Sequence, residues 1–288
     1  MLIDGQPADQ VPVSDRGLQY GDGLFETIAV TDGEPRLWEA HMERLTQGEA
    51  RLGFPLQDKS LLLAEARELI SDTKRGVLKL LLTRGSGGRG YRAPHDATPR
   101  RILTLHPWPD YPDAWFTAGI RLRVCETRIG RSRALAGLKH LNRLEQVLAR
   151  NEWDDPEIPE GVMLDENDLV VEGTQSNLFL LSEGCLLTPD LTDCGVAGVM
   201  RRLVLEMARQ LGIETVIKKL TLQECKAGDA LFITNSIMGI CPVSELEERR
   251  FTVESIPERL VLSVQKQAFG KALSPASSVS DYPCDSAL

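Results

Sequence analysis

The residue best suited to covalent chemistry in this chain is Lys139, which follows a run of small and apolar residues, Ala134–Leu138. It is the only lysine between Arg100 and Arg201. Apolar surroundings disfavour the charged ammonium and lower the pKa of a lysine. A neutral lysine amine can attack a carbonyl carbon and form a Schiff base. A solvated lysine at the head of an amphipathic helix is the other interpretation, and this segment alone favours it.

A carboxylate in the following segment makes the covalent interpretation stronger. Schiff-base chemistry with pyridoxal phosphate (PLP) needs the lysine, a carboxylate at the pyridine nitrogen and a cradle for the phosphate. Lys139 can supply the first. Glu172 can supply the second, because it ends an apolar strand, Leu169–Glu172, where a carboxylate needs a partner.

A phosphate cradle is predicted where a helix opens in the glycine-flanked segment Gly195–Arg201. The first N–H groups of a helix are unpaired and favour an anion, so Val199 and Met200 are the predicted backbone contacts. Arg44 and Ser236 are expected to add side-chain contacts. A plain helix start is the commoner meaning of such a pattern.

A second glycine-rich stretch, Arg84–Tyr91, combines two arginines with four glycines. Arginine binds carboxylates through two parallel hydrogen bonds, and glycine lets the backbone approach a ligand closely. A flexible hairpin loop with solvated arginines explains the stretch equally well.

The composition excludes several classes of partner. The 288 residues are 42% hydrophobic, which supports a sizeable core, and the net charge is -9 without a basic stripe. Nucleic acid and anionic membranes are therefore not expected partners. The six cysteines are scattered without a Cys-x-x-Cys pair, which favours reduced thiols in the cytoplasm over disulfides or a metal site. No secretory signal or membrane-spanning run is visible.

Hydrophobic periodicity predicts helices and strands in both halves of the chain, so the expected fold class is α/β (α+β) with two domains. Prolines 107, 109 and 112 interrupt regular structure and place a linker at 108–113. The predicted division is a smaller N-terminal domain at 1–107, a larger C-terminal domain at 114–273 and a loose tail at 274–288. Amphipathic helices are expected at 38–52 and 61–70, a helix opening at 195 and running to 211, and a terminal helix at 256–272. Apolar runs predict strands at 25–30, 76–83, 101–106, 214–220 and 229–234. Residues 14–23 are expected to be irregular.

Three of these stretches together resemble the fold-type IV PLP enzymes, a family that includes branched-chain and D-amino-acid aminotransferases. The stretches are Lys139, Glu172–Phe179 and Gly195–Arg201. The resemblance implies two domains with the cofactor held between them, in a homodimer whose partner subunit closes each site. It also implies the cofactor roles given above to Lys139 and Glu172.

Within the family, the chain resembles the lyase branch. The marks are Arg84–Tyr91, Lys139–Gln146 and Thr27, which stands where branched-chain aminotransferases have glycine. The reaction implied is the conversion of 4-amino-4-deoxychorismate (aminodeoxychorismate) to 4-aminobenzoate and pyruvate, on the path to folate.

The resemblance also implies roles for the substrate contacts. The freed Lys139 removes the proton from the ring carbon that bears nitrogen, and the enolpyruvyl group leaves. Arg89 is expected to bind a substrate carboxylate, with Tyr91 and Thr27 as further substrate contacts. An aminotransferase acting on D-amino or branched-chain acids is the alternative within the fold. A non-catalytic protein that binds PLP or another small anion is the alternative outside enzymes.

Overall fold

A computed structural model describes residues 1–270 of the chain. The predicted tail at 274–288, the last three residues of the predicted C-terminal domain and Cys284 lie outside the described residues. The terminal helix predicted at 256–272 is shorter in the structure, because it ends at Phe269 with Gly270 as its C-cap. None of the helices in the described part is both long and apolar enough to cross a membrane.

The N-terminal part forms a six-stranded sheet in the order β2-β1-β6-β5-β3-β4, and every neighbouring pair is antiparallel. Its strands are β1 (Leu2–Ile3), β2 (Gln6–Pro7), β3 (Gly23–Thr31), β4 (Glu34–Pro35), β5 (Arg75–Thr83) and β6 (Arg100–Pro107). The helices of this part are α1 (Arg16–Tyr20), α2 (Trp38–Leu52) and α3 (Lys59–Ile70).

Helix α2 packs on this sheet because its apolar residues recur at helical spacing. Met42 and Leu45 are buried in the same cluster as Ile28 and Leu80 of the central strands. The helix ends at Gly53, whose φ of 65° is easily reached without a side chain. Its bounds are those predicted from the sequence.

The C-terminal part forms a ten-stranded mixed sheet in the order β12-β11-β10-β14-β15-β7-β8-β9-β13, with β16 paired to β15. Its strands are β7 (Ile120–Ile129), β8 (Glu160–Asp165), β9 (Leu169–Gly173), β10 (Asn177–Ser182), β11 (Cys185–Pro189), β12 (Thr215–Lys218), β13 (Leu220–Thr221), β14 (Ala230–Asn235), β15 (Gly239–Leu246) and β16 (Arg249–Arg250). The helices of this part are α4 (Ala114–Thr117), α5 (Leu144–Arg150), α6 (Val199–Gln210), α7 (Leu222–Ala227) and α8 (Glu258–Phe269). Helices α6 and α8 cover one face over a core that includes the stacked rings of Phe179 and Phe232.

Along the chain, the strands of the two sheets are separated by residues 108–113, which form neither helix nor strand. The domain division proposed there stays a prediction. The mixed α and β architecture agrees with the predicted fold class.

Two expectations about local structure are wrong. The stretch 14–23 contains helix α1, because the Asp15 side chain accepts the Gly17 N–H and caps a helix that the glycines obscure. The single strand predicted at 214–220 is two strands. β12 pairs with β11 and β13 pairs with β9, at opposite ends of the strand order. Only Lys219 separates them, so the sheet must curl until its edges meet.

Candidate active site

The backbone of Lys139 is fixed by strand β3. The Phe25 N–H donates to the Lys139 carbonyl at 2.9 Å, and the Leu141 N–H donates to the Gly23 carbonyl at 3.0 Å. The lysine segment therefore pairs with the beginning of β3 through a short antiparallel bridge. Lys139 belongs to the C-terminal part of the chain but is held by the N-terminal sheet.

The other end of the same segment is fixed by the loop that leads into helix α6. The Gly137 N–H donates to the Gly195 carbonyl at 2.8 Å, and the Ala197 N–H donates to the Gly137 carbonyl at 3.1 Å. Gly137 and Gly195 have φ values of 81° and 85°, which favour glycine. The lysine and the helix start are thus held in one frame.

A cavity of about 580 Å³ opens between the two sheets at this frame. Seven of the predicted site residues line it: Thr27, Arg44, Lys139, Glu172, Val199, Met200 and Ser236. They come from β3, α2, the lysine segment, β9, α6 and the turn after β14.

The amine of Lys139 lies in surroundings that favour its neutral form. Burial lowers the pKa of Lys139 to about 7, and the positive charge of Arg44 acts in the same direction. Glu26 and Glu172 oppose this shift. The Lys139 Nζ lies 4.2 Å from the centre of the Phe25 ring, whose face attracts a cation and so acts with the two glutamates against the shift. A substantial share of the lysine is therefore unprotonated and nucleophilic near neutral pH.

Glu172 lies on the cavity wall with its carboxylate held by the helix α6 loop. The Val196 N–H donates to Glu172 Oε2 at 2.8 Å, and the Asn177 amide lies 3.5 Å from the same oxygen. Burial raises the pKa of Glu172 to about 7, although the Val196 N–H and Arg143 act against this rise. A carboxyl group with this pKa can share a proton with a basic nitrogen of a bound ligand.

The beginning of helix α6 faces the cavity with unpaired backbone donors. Gly198 is the N-cap and gives no side-chain cap, so the first N–H groups of the helix remain available. A Cβ at position 198 would overlap Asn177 Oδ1, which explains why glycine stands there. Beside the helix, the Asn235 side chain accepts the N–H groups of Ile237 and Met238 and so shapes the turn that presents Ser236.

Arg44 reaches the cavity from helix α2. Its Nε donates to Glu26 Oε1 at 2.9 Å, its Nη2 to Glu26 Oε2, and its Nη1 to the Ala197 carbonyl at 3.2 Å. The arginine thereby joins the N-terminal sheet to the loop before helix α6.

Arg89 and Tyr91 are not brought into this cavity. Arg89 is exposed, and Tyr91 is 88% exposed beside a smaller neighbouring cavity of about 290 Å³. Arg16 holds their loop by donating to the carbonyls of Gly90 and Tyr91. The first arginine of the same loop, Arg84, donates hydrogen bonds to Asp22 and to two carbonyls at the end of α2. It is therefore not available to a ligand. The substrate roles of Arg89 and Tyr91 stay predictions.

Sequence reasoning gave no role to Arg143, which lines the cavity four residues after the lysine. Its Nε donates to the His140 carbonyl at 2.9 Å, and its two terminal nitrogens make no hydrogen bond within residues 1–270. Burial lowers the pKa of Arg143, because the charged guanidinium has lost hydration. The signal available beforehand was its place in the run Lys139–Gln146.

A second missed residue is Glu160, which shapes the cavity wall from behind. Its carboxylate accepts the Thr174 N–H and hydroxyl, the Ser176 hydroxyl and the Gly161 N–H. These bonds fix the turn between β9 and β10, whose residues line the cavity. The signal available in the sequence was a glutamate directly before the apolar run of β8.

The sequence model of the class IV aminotransferase family matches residues 23–246 of the chain, which include the whole cavity wall. The chain therefore belongs to the class IV aminotransferase family.

Particular members show which branch is similar. An aminodeoxychorismate lyase from Vibrio harveyi is 38% identical over 242 residues, covering 84% of this chain and 89% of that protein. The crystal structure of a 4-amino-4-deoxychorismate lyase from Pseudomonas aeruginosa is 48% identical with a TM-score of 0.87, covering 92% of this chain and 97% of that one. A putative branched-chain-amino-acid aminotransferase from Methanocaldococcus jannaschii is 31% identical over 261 residues, covering 89% of each.

Proposed function

We propose that the protein is a PLP-dependent lyase that converts 4-amino-4-deoxychorismate to 4-aminobenzoate and pyruvate. The observation that carries the proposal is the placing of Lys139, Glu172 and the start of helix α6 around one cavity. Similarity to proteins named as this lyase, at 38% and 48% identity, supports the choice of reaction.

The residues present fit PLP by their chemistry. The Lys139 amine suits an aldehyde, the Glu172 carboxyl suits a ring nitrogen, and the free N–H groups at Val199 and Met200 suit a phosphate. Ser236 and Arg44 add polar contacts at the phosphate end. The volume of about 580 Å³ lies within the range of roughly 300–1,000 Å³ usual for small-molecule sites.

The bound cofactor supplies an electron-withdrawing ring that stabilises negative charge on the substrate carbon bearing the amine. Lys139 Nζ then moves protons. Since burial holds its pKa at about 7, the amine can accept a proton from that carbon and return one to the leaving enolpyruvate. The bond between the neighbouring ring carbon and the enolpyruvyl oxygen then breaks, and the loss of proton and enolpyruvate from adjacent carbons makes the ring aromatic.

Glu172 lines the cavity and would hold the ring nitrogen of the cofactor. Its pKa of about 7 lets it share a proton with the ring nitrogen, which strengthens electron withdrawal. The hydrogen bonds from Val196 and Asn177 hold the carboxyl group in orientation.

Thr27 and Arg143 are the side chains that we assign to the substrate. Thr27 lines the cavity on β3 and offers a hydroxyl to Lys139 or to the leaving oxygen. Arg143 lies in the cavity wall with unused donors, which suits one of the two substrate carboxylates. Arg89 is assigned to the other carboxylate, contributed to the cavity of a second subunit.

A homodimer is part of the same proposal. Helix α5 borders the cavity, yet Leu144 is 76% exposed and Leu148 is 61% exposed. Apolar residues beside a site are suited to burial by a second copy of the chain, which would also bring the Arg89 loop to the cavity.

The five cysteines of the described part are free, which supports a cytoplasmic location for the enzyme.

The test is to add aminodeoxychorismate and PLP to the purified protein without any keto acid. Lactate dehydrogenase and NADH then report pyruvate, and absorbance or chromatography reports 4-aminobenzoate. The proposal expects equal amounts of both products. Absence of pyruvate would overturn it.

An aminotransferase acting on branched-chain or D-amino acids is the second candidate, favoured by the 31% identity to the Methanocaldococcus jannaschii protein. It would leave aminodeoxychorismate unchanged and would move amino groups only when a keto acid is supplied. A parallel assay with a branched-chain or D-amino acid and 2-oxoglutarate, read by the new keto acid formed, separates the two candidates.

A further inference from the structure

A fully buried acidic and imidazole pair lies directly behind Arg44. Glu26 is 1% exposed and His41 is 0% exposed. His41 Nδ1 lies 2.6 Å from Glu26 Oε2, the oxygen that also accepts from Arg44. The carboxylate is therefore shared by one arginine and one histidine.

Neither member of this pair lines the cavity, whereas Phe25 and Thr27 on either side of Glu26 do. Alternation along β3 directs Glu26 away from the cavity and toward helix α2. There His41 and Arg44 are three residues apart on one helix face. A charged group buried at this point requires an explanation, because burying a carboxylate is costly unless it is paired.

We propose that Glu26 and His41 are positioning residues that hold the Arg44 guanidinium against the phosphate end of the cavity. The Glu26 carboxylate accepts hydrogen bonds from Nε and Nη2 of Arg44, and these two bonds fix the plane of the guanidinium. The remaining Nη1 bonds the Ala197 carbonyl at 3.2 Å, two residues before helix α6 begins. The proposal rests on the assignment of PLP to this cavity.

The charges of the pair agree with this role. Burial alone would raise the pKa of Glu26, but Arg44 and His41 outweigh it and hold the pKa at about 2. The carboxylate is thus ionised at every working pH. Burial lowers the pKa of His41. Because an ionised carboxylate can only accept, the hydrogen of this bond lies on His41 Nδ1, which donates to Glu26. Its Nε2 has no hydrogen-bond partner among residues 1–270.

The experiment compares the affinity of the apoprotein for PLP with its affinity for pyridoxal, in buffer free of phosphate. Both compounds can react with Lys139, so the dissociation constant for pyridoxal divided by that for PLP isolates the phosphate contribution. A larger ratio means a stronger contribution of the phosphate. Glu26→Gln is expected to lower that ratio at least tenfold. Arg44→Ala should lower it by at least as much, because it removes the group that Glu26 holds.

The histidine gives a second arm that does not alter the carboxylate. His41→Leu removes the donor and is expected to lower the ratio about threefold. His41→Asn is expected to restore it, because its side-chain amide can donate from nearly the position of Nδ1. Glu65→Gln is the matched control, since Glu65 is a buried carboxylate that pairs with Arg101 of β6, and neither residue lines the cavity. Its ratio should equal that of the wild type.

A folded Glu26→Gln protein that keeps the wild-type ratio would overturn the proposal. If Glu26→Gln does not fold, the histidine arm decides: equal ratios for His41→Leu, His41→Asn and the wild type overturn it. A wild type that binds pyridoxal as tightly as PLP would instead refute the cofactor assignment, and this inference with it. The measurement needs no turnover, so its result is independent of which reaction the enzyme catalyses.

Discussion

The lysine segment 137–141 and the loop 84–91 are both glycine-containing stretches with charged residues, yet only the first reaches the cavity. The lysine segment is bonded on one side to β3 and on the other to the loop before α6. The end of the loop is held by Arg16, which donates to the carbonyls of Gly90 and Tyr91, while Arg89 is exposed. Its side chains are therefore not directed at the cavity of their own chain.

The difference shows what turns a reactive residue type into a site. A side chain acquires a defined position when its backbone is fixed from two directions, as Lys139 is. A loop whose charged side chain is exposed, as Arg89 is, can complete a site only if another surface meets it. The lysine segment thus contributes to the cavity of its own chain, whereas the loop 84–91 is a candidate contributor to the cavity of a second chain.

The strongest test of this contrast is removal of the lysine amine. Lys139→Ala should lower pyruvate release by about 10³-fold or more, because general acid–base catalysis alone contributes roughly 10²–10⁴-fold and the covalent contribution is lost as well. Pyruvate measured with excess PLP and aminodeoxychorismate checks the prediction.

The matched control is Lys79→Ala. Lys79 lies opposite Thr27 in the register of β3 and β5, and its Nζ lies 5.7 Å from the same Phe25 ring. It does not line the cavity, so turnover should stay within about twofold of the wild type, as for a surface substitution of roughly 0.5 kcal/mol or less. A larger loss in Lys79→Ala than in Lys139→Ala would move the reactive amine to the other strand.

The next largest effect concerns the arginines. Arg143→Met should raise KM for aminodeoxychorismate about tenfold or more, because a charged hydrogen bond contributes roughly 1.5–3 kcal/mol. The PLP dissociation constant should change much less. An unchanged KM would remove Arg143 from substrate binding.

Arg89→Ala should raise KM by a similar factor, but through the partner. Co-expression of Arg89→Ala chains with Lys139→Ala chains tests this at substrate concentrations below KM. In a mixed dimer, one cavity has an intact Lys139 and the partner subunit's Arg89. Activity above that of either variant alone is expected, whereas no recovery would place Arg89 outside the site.

The sequence predicted the elements whose signal is local. Periodic apolar residues give α2 its bounds, and alternation with apolar runs gives β3, β5 and β6. Helix α1 was not predicted because its signal is one capping hydrogen bond from Asp15. The separation of β12 from β13 was not predicted because it depends on which distant strands they join.

The same distinction applies to the site. The sequence could indicate Lys139, Glu172 and the start of α6, because the residue types and immediate neighbours of each suggest its chemistry. The role of Glu26 could not, because it depends on Arg44 and His41 arriving from a helix more than ten residues away. The exclusion of Arg89 from the cavity of its own chain likewise depends on the route of the loop, which local spacing does not determine.

A smaller effect is expected on the stability of the apoprotein. Since burial lowers the pKa of Lys139 from 10.5 to about 7, the folded state bears the cost of the charged amine fully below pH 7. Between pH 7 and 10.5 the folded protein has lost the proton while the unfolded chain keeps it, so the cost falls as pH rises. Lys139→Met should therefore be more stable than the wild type at pH 6, by about 1.4 kcal/mol or more, the value of one pKa unit.

Urea unfolding at pH 6 and pH 9.5 measures that difference. The stabilisation should be smaller at pH 9.5. Lys59→Met serves as the control, because Lys59 is exposed at the beginning of α3 and should show no comparable dependence on pH. A stabilisation by Lys139→Met that is equal at both pH values would mean that packing, and not the charge, is responsible.

The smallest effect separates hydroxyl chemistry from packing at Thr27. The residue lies on β3 beside Phe25 and Glu26, and its side chain lines the cavity. If the hydroxyl bonds Lys139 or the leaving oxygen, Thr27→Ser should keep turnover. Thr27→Val should then lose about three- to tenfold, as for a neutral hydrogen bond of roughly 0.5–1.5 kcal/mol. β-Branched residues also suit strands for packing alone, so valine would be the better replacement under that explanation. Pyruvate release by the two variants under saturating PLP distinguishes them, and an active Thr27→Val protein beside an inactive Thr27→Ser protein would show that shape governs this position.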